Sequence, residues 1–372
     1  MSFIPFELER WQSAWEHRVS FNLSESGVHP LSIAELLHIT DTDPDELAAI
    51  RLGYSQADGT DQLRAAIAAL YPGSNADNVI VTVGSSEANF VTSWTLLEPG
   101  DKVAILSPLY RQTWGLAQNF GAEVSTFELK PELGWEPDPD EVARAIQPGT
   151  KLVVITNPNN PTGHVLSPSA RTEIVARTEA VGAWLLADEV YLGAELDGQT
   201  TETFWGNYER TVAVNGLSKA YALPGLRIGW LVAPAEFKEA LWSRHDYTVI
   251  GPASCSDFLA TRALGARDEI LARTRKILNE NYPVLDRWLQ QYGPAVRWWR
   301  PDCGAISFVQ YKQALASLDL AERIRQEYDV LIEPGEHFGF ERSIRFGYGN
   351  ETAEFKRALD VLTPAFQKYL MD

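Results

Sequence analysis

Between Val79 and Val232 the chain alternates short β-branched apolar runs with longer amphipathic stretches. The runs Val79–Val83, Lys102–Leu106, Glu123–Glu128, Leu152–Thr156, Trp184–Ala187, Thr211–Val214 and Ile228–Val232 predict strands. The stretches Ser86–Leu97, Tyr110–Phe120, Pro139–Ile146, Ser169–Val181 and Phe237–Trp242 predict helices. Asp138 is the expected N-cap of the third helix, with Pro139 at its first helical position. Such alternation predicts an α/β fold with a mostly parallel, doubly wound sheet. After about Tyr247 the pattern changes. A long helical region, Ala253 to Tyr292, precedes short strands near Ala305–Gln310, Val330–Ile332 and Ser343–Phe346, and the segment from Glu351 to Leu370 reads as helix. This predicts a smaller α+β domain. The expected division is an N-terminal arm over residues 1–45, a large domain over 46–247 and a small domain over 248–372. In the arm, Trp11 and Trp15 share one helical face, while Glu9 and Glu16, two turns apart, share another.

With 372 residues the chain can bury a large core. Its 45% hydrophobic and 22% charged residues are those of an ordinary globular protein. The net charge of −18 argues against a nucleic-acid partner, because phosphate binding needs a basic face. It leaves room for a small cationic substrate. Cys255 and Cys303 form neither a disulfide framework nor a metal-type spacing. No secretory leader or membrane-length apolar run is apparent, so the expected location is the cytoplasm with no membrane partner.

The candidate chemistry lies at the ends of the expected strands. In Asn215-Gly-Leu-Ser-Lys219 a lysine follows one apolar run, and Arg227 precedes the next. A desolvated lysine can form a Schiff base with an aldehyde, and a neighbouring arginine can hold a phosphate. Gly84-Ser85-Ser86 opens a helix after a strand, where backbone N–H groups and the helix dipole favour an anion. Asn157-Pro-Asn-Asn160-Pro-Thr-Gly163 makes a stiff turn. Asp188, in Ala187-Asp-Glu-Val-Tyr191, sits at a strand end, where acids face the site in open α/β sheets. Glu189 beside it reads as a solvated or structural acid.

These motifs, in this order, resemble those of the class I/II aminotransferases, the fold-type I pyridoxal 5′-phosphate (PLP) enzymes. The resemblance runs from about Asn22 to Gly347. It implies that Lys219 binds the cofactor, that Asp188 partners its ring nitrogen, and that Asn160 and Tyr191 contact its phenolic oxygen. Ser218 and Arg227 match phosphate ligands, joining the helix start at Gly84, Ser85 and Ser86 as cofactor contacts, although Gly216 stands where many relatives carry Ser or Thr. Tyr110 matches the aromatic stacked on the ring. Arg345, in Ile344-Arg-Phe-Gly, matches the arginine that grips a substrate carboxylate. Tyr54 matches a tyrosine that reaches the phosphate of a neighbouring subunit, which implies a homodimer. The arm is expected to cover the active site.

The shared apparatus does not fix the reaction. Ser26-Gly27-Val28-His29 resembles the corresponding stretch of capreomycidine synthase-type cyclodehydratases. Weaker likenesses lie at Gly84–Ala88, Leu217–Tyr221 with Leu223–Arg227, and Asp246-Tyr247. This implies dehydration and ring closure of a hydroxylated arginine-like amino acid. Gly27 and His29 would then face the substrate, His29 would move a proton, and Glu9, Glu16 and Glu25 are candidates for holding a guanidinium. A conventional aminotransferase, transferring an amino group to a 2-oxo acid, is the alternative. Loss of catalysis is disfavoured by the intact set Asp188, Lys219 and Arg345.

Overall fold

A computed structural model describes residues 3–371. The apolar runs assemble into one eight-stranded sheet. Its spatial order is Val79–Val83, Ile228–Val232, Thr211–Gly216, Trp184–Asp188, Thr150–Thr156, Lys102–Ser107, Glu123–Lys130 and the short Glu136–Pro137. Pairings are parallel except those of Ile228–Val232 with both its neighbours and of Glu136–Pro137 with the strand before it. The central strands are near-continuously buried, as expected of a sheet covered on both faces. One face is covered by helices that include Ser85–Leu96, with Val91, Leu96 and Leu241 packed on Ile80, Val103, Val154 and Leu231.

A second sheet is antiparallel, in the order Val296–Trp298, Ile306–Tyr311, Ser343–Gly347, Glu333–Pro334. The helix Arg267–Gln290 and the closing helix Thr352–Phe366 pack together against it through residues such as Trp288, Phe346 and Phe366. The N-terminal arm is tied to this region, because Phe21–Asn22 pairs in parallel with Val330–Leu331. The arm's helix, Glu7–Trp15, buries Leu8 in the same cluster as Phe127, Phe308 and Phe338. Among the described residues no helix is long and apolar enough to cross a membrane.

The expected helical region 253–292 is two helices, Ser254–Gly265 and Arg267–Gln290. Ala266 leaves helical geometry between them, at φ −109° and ψ 25°. Pro283 lies inside the second helix without ending it.

Candidate active site

Strand direction gathers the motifs. Val79–Val83, Lys102–Ser107, Thr150–Thr156, Trp184–Asp188 and Thr211–Gly216 run the same way, so the segments after them emerge along one edge of the sheet. Arg227 reaches that edge from the start of the antiparallel strand Ile228–Val232. This is where open α/β sheets bind ligands.

Lys219 lies in the turn after Thr211–Gly216. Its Nζ donates to Glu25 Oε1 at 3.0 Å. The same oxygen accepts the N–H groups of Ser26 (2.8 Å) and Gly27 (2.9 Å). Attraction to Lys219, working against burial, holds the Glu25 carboxyl down at about 2. Burial opposes the charge on Lys219, but Glu25 and Tyr191 outweigh it and the net shift is upward. The loss of charge expected from desolvation is therefore offset by an acid from the arm. The Glu25 side chain is 49% and that of Lys219 25% exposed. Gly27 carries the arm past the lysine. A Cβ there would stand 3.3 Å from Ser218 O and 3.7 Å from Lys219 Cδ.

Asp188 is buried at the end of its strand. Burial pushes its carboxyl up to about 6, opposed by hydrogen bonds from Asn89 Nδ2 (2.8 Å) and the Val190 N–H (3.3 Å). Tyr191 and Tyr110 are both raised, chiefly by burial. The Tyr110 hydroxyl donates to Glu9 Oε1 at 2.5 Å. Glu189 is buried rather than solvated. It accepts from the Phe204 N–H (2.6 Å) and the Thr203 hydroxyl (2.8 Å), so it acts as a loop anchor.

Gly84 has φ +77°, and a Cβ there would collide with Arg227 Nη2. The guanidinium thus lies against the N-terminus of the helix Ser85–Leu96, beside Ser85 and Ser86. A Cβ on Gly229 would strike the Gly84–Ser85 peptide, and one on Gly216 would lie 3.0 Å from Ile228 O. Gly216 therefore fits a tight strand crossing where a hydroxyl side chain was the expectation from relatives. A cation beside exposed helix N–H groups suits a phosphate. A buried acid with no ion-pair partner among the described residues suits a protonated ring nitrogen. The residues present fit PLP.

Arg345, on Ser343–Gly347, is buried. Its Nη1 donates to Asn160 Oδ1 at 2.9 Å and its Nη2 donates to Ser24 O. Its Nε has no partner among the described residues. Asn160 keeps its amide N–H groups to donate. The turn holding it is stiffened by Asn159, which donates to Pro108 O (3.0 Å) and accepts from the Thr162 hydroxyl (2.8 Å).

Three of the sequence expectations are not brought into this cluster. The His29 ring accepts from Arg273 Nη2 at 3.0 Å, while the residue's backbone N–H donates to Gly349 O (2.7 Å). Burial and the Arg273 guanidinium lower its pKa, so the ring is a neutral acceptor turned to the helix Arg267–Gln290. Glu16 caps the far end of the helix Glu7–Trp15 and lies 3.5 Å from His17. Two helical turns separate it from Glu9, which meets Tyr110. Tyr54 is 95% exposed and touches no site group of its own chain. Conversely, sequence reasoning missed Asn89, Gln112 and the buried pair Glu333–His337 (2.6 Å), which neighbours Arg345.

The aminotransferase class I and II family matches residues 35–362. Capreomycidine synthase of Streptomyces vinaceus is 30% identical over 364 residues, covering 96% of this chain and 92% of that protein. A PLP-dependent aminotransferase from Streptococcus suis has a similar structure, with TM-score 0.93 and 32% identity over 99% of both chains. The PLP-dependent cyclase OrfR is similar at TM-score 0.92 and 30% identity, over 99% of this chain and 98% of that one.

Proposed function

We propose, from the premise that the chain belongs to the aminotransferase class I and II family of PLP enzymes, that it cyclises a hydroxylated arginine-like amino acid with loss of water. The observation that carries this reading is Glu25. It is a strongly acidic, half-exposed carboxylate held by the arm within 3.0 Å of Lys219. A purely neutral or anionic substrate gives such a group nothing to bind, whereas a guanidinium pairs with it in two parallel hydrogen bonds.

When bound, the cofactor supplies an electron sink that makes the Cα–H bond of an amino acid acidic. The chain's residues do the rest. Arg345, oriented by Asn160, holds the α-carboxylate. Asp188 keeps a proton on the ring nitrogen. Tyr110 and Tyr191 wall the site and exclude water. Lys219 takes the Cα proton. The substrate's C–O bond then breaks, and the hydroxyl leaves as water with that proton. Glu25, with Glu9 as the second acid of the arm, holds the guanidine close. A guanidine nitrogen forms the new C–N bond and gives its proton to Lys219, which returns it to Cα. One water is lost overall. Lys219 moves these protons in this scheme, since His29 is engaged by Arg273.

A second reading, a conventional aminotransferase, is favoured by the likeness to the Streptococcus suis enzyme. It uses the same groups at Cα but passes the amino group to a 2-oxo acid. We also propose that the active unit is a homodimer to which Tyr54 contributes across the interface. One experiment separates the two reactions. The PLP-loaded enzyme is incubated with hydroxylated arginines and, separately, with arginine plus a 2-oxo acid, and products are followed by mass. Loss of one water without an amino acceptor is expected. Amino exchange that depends on the oxo acid, with no dehydration, would sink the cyclisation.

A further inference from the structure

Asn89 is a buried amide inside a helix, an arrangement that needs a reason. Asn is a poor helix former, and a buried amide costs free energy unless its hydrogen bonds are made. It lies one turn into Ser85–Leu96, the helix whose N-terminus faces Arg227, and is 2% exposed. Its Nδ2 donates to Asp188 Oδ2 at 2.8 Å and to Gln112 Oε1 at 3.3 Å. Gln112 Nε2 in turn donates to Ser86 O at 2.8 Å. The amide orientation follows from this network, since both N–H groups have acceptors while Asn89 Oδ1 has no partner among the described residues.

Two neutral amides therefore join the acid at the end of Trp184–Asp188 to the first turn of the helix at the phosphate seat. Gln112 also lies two residues after Tyr110, so the same strut fixes the segment that supplies the aromatic wall. The other hydrogen bond to Asp188, from the Val190 N–H, is long at 3.3 Å. Asn89 is thus the main donor supporting the ionised carboxylate, which is itself buried. The neutrality of the donor matters. A cationic donor would neutralise Asp188 and compete with a ring nitrogen for it, while an apolar side chain would leave the buried charge unsupported.

We infer that Asn89, braced by Gln112, is a positioning residue that keeps Asp188 ionised and aimed at the cofactor's ring nitrogen, in register with the phosphate seat. This rests on PLP binding alone and is independent of which reaction follows.

The test uses the PLP-loaded enzyme with Asn89→Leu and, separately, Gln112→Leu. Three readouts are taken: the ¹⁵N shift of ring-labelled cofactor, the pH midpoint of its visible band, and the cofactor dissociation constant. In Asn89→Leu the ring nitrogen should move toward its unprotonated shift. The band midpoint should rise, because a positive ring nitrogen favours deprotonation elsewhere on the conjugated system. The dissociation constant should increase about tenfold or more, as for loss of a hydrogen bond to a charged group. Gln112→Leu, which touches Asp188 only through Asn89, should shift all three in the same direction by roughly two- to threefold. Gln112 is half-buried at the start of its helix, so this variant keeps the test usable should Asn89→Leu fail to fold. Wild-type ¹⁵N shift and band midpoint in either folded variant would overturn the proposal.

Discussion

Lys219 and Glu25 come from distant parts of the sequence and bind each other in the site. The sequence motif put Lys219 just past a strand end, where the structure has it, but no local signal tied it to an acid 194 positions earlier. The folded value of Glu25, about 2, lies below its ordinary value of 4.5. Its contribution to stability is therefore present above about pH 4.5 and lost as pH falls from there through about 2. The melting temperature of the cofactor-free protein should show this acid limb, and Glu25→Gln should shrink it. Half-exposure limits the effect to about 1 kcal/mol or less; identical limbs in the two proteins would remove Glu25 as the acid that holds Lys219. Lys219→Ala should lower turnover by several orders of magnitude and abolish the cofactor's visible band. Survival of both would overturn the site. The places of Asp188 and Asn160 were legible because strand direction decides where residues at or just past a strand end emerge, whereas Arg345, in the middle of Ser343–Gly347, was legible only through its motif. The structure does not bring His29 or Glu16 to Lys219: a short motif likeness singled out His29 and helical spacing paired Glu16 with Glu9, and neither says what the side chain meets. Asn89 and Gln112 gave no signal, since a polar residue on a helix is usually solvated and only packing shows that these two are not.

The helix Ser85–Leu96 crosses closely over the strands Thr211–Gly216 and Ile228–Val232 at the proposed phosphate seat. Gly216 and Gly229 are register partners in the antiparallel pair, and both face the helix start closely. Gly229→Ala should force the Gly84–Ser85 peptide away from the sheet, costing roughly 1–3 kcal/mol as for other overpacked sites. It should also weaken PLP binding more than Gly225→Ala, where a Cβ meets nothing within 4 Å. Denaturant melts and cofactor titration of the two variants check this, and equal effects would contradict the close approach. The seven main strands were legible because β-branched runs of that length, separated by amphipathic stretches, have few other folds open to them. The break at Ala266 was not. The helix before it packs on Asp61–Ala68, and the helix after it on Thr352–Phe366. Gly265 ends the first helix just before the break, and the two helices then pack on different partners. The parallel pairing of Phe21–Asn22 with Val330–Leu331 is equally invisible to any local window.

At the scale of the molecule, His164 ties the large sheet's edge to the loop between the first two strands of the second sheet. Its Nε2 lies 3.0 Å from Glu136 Oε1 and its Nδ1 3.1 Å from Asp302 Oδ2, so both ring nitrogens donate only in the imidazolium. Burial lowers its pKa, but the two acids outweigh burial and the net shift is upward. The stabilisation is thus full below the ordinary value of 6.5 and is lost as pH rises through the higher folded value. Urea midpoints should fall by about 1 kcal/mol equivalent across that window, and His164→Gln should flatten this part of the profile; an unchanged slope would show that the clasp carries no charge. The exposed apolar residues argue a larger assembly. Leu52 and Tyr54 lie 88% and 95% exposed, and Tyr247 83%. Their two segments are joined, because His245 Nε2 lies 3.0 Å from Ala57 O and a Cβ on Gly251 would stand 3.1 Å from Ala57 Cα. A joined patch of exposed aromatic and aliphatic side chains calls for a cover, and the proposed second copy, reaching in with Tyr54, would provide one. Light scattering should give a dimer, with Leu52→Asp shifting it toward monomer. Tyr54→Ala should weaken PLP binding roughly tenfold, as expected for loss of a hydrogen bond to a charged group. The decisive arrangement is a mixture of Lys219→Ala and Tyr54→Ala subunits at limiting cofactor. If Tyr54 serves the partner's site, each mixed dimer holds one intact site, and random pairing restores about a quarter of the sites in a two-fold assembly. If Tyr54 serves its own chain, mixing restores nothing.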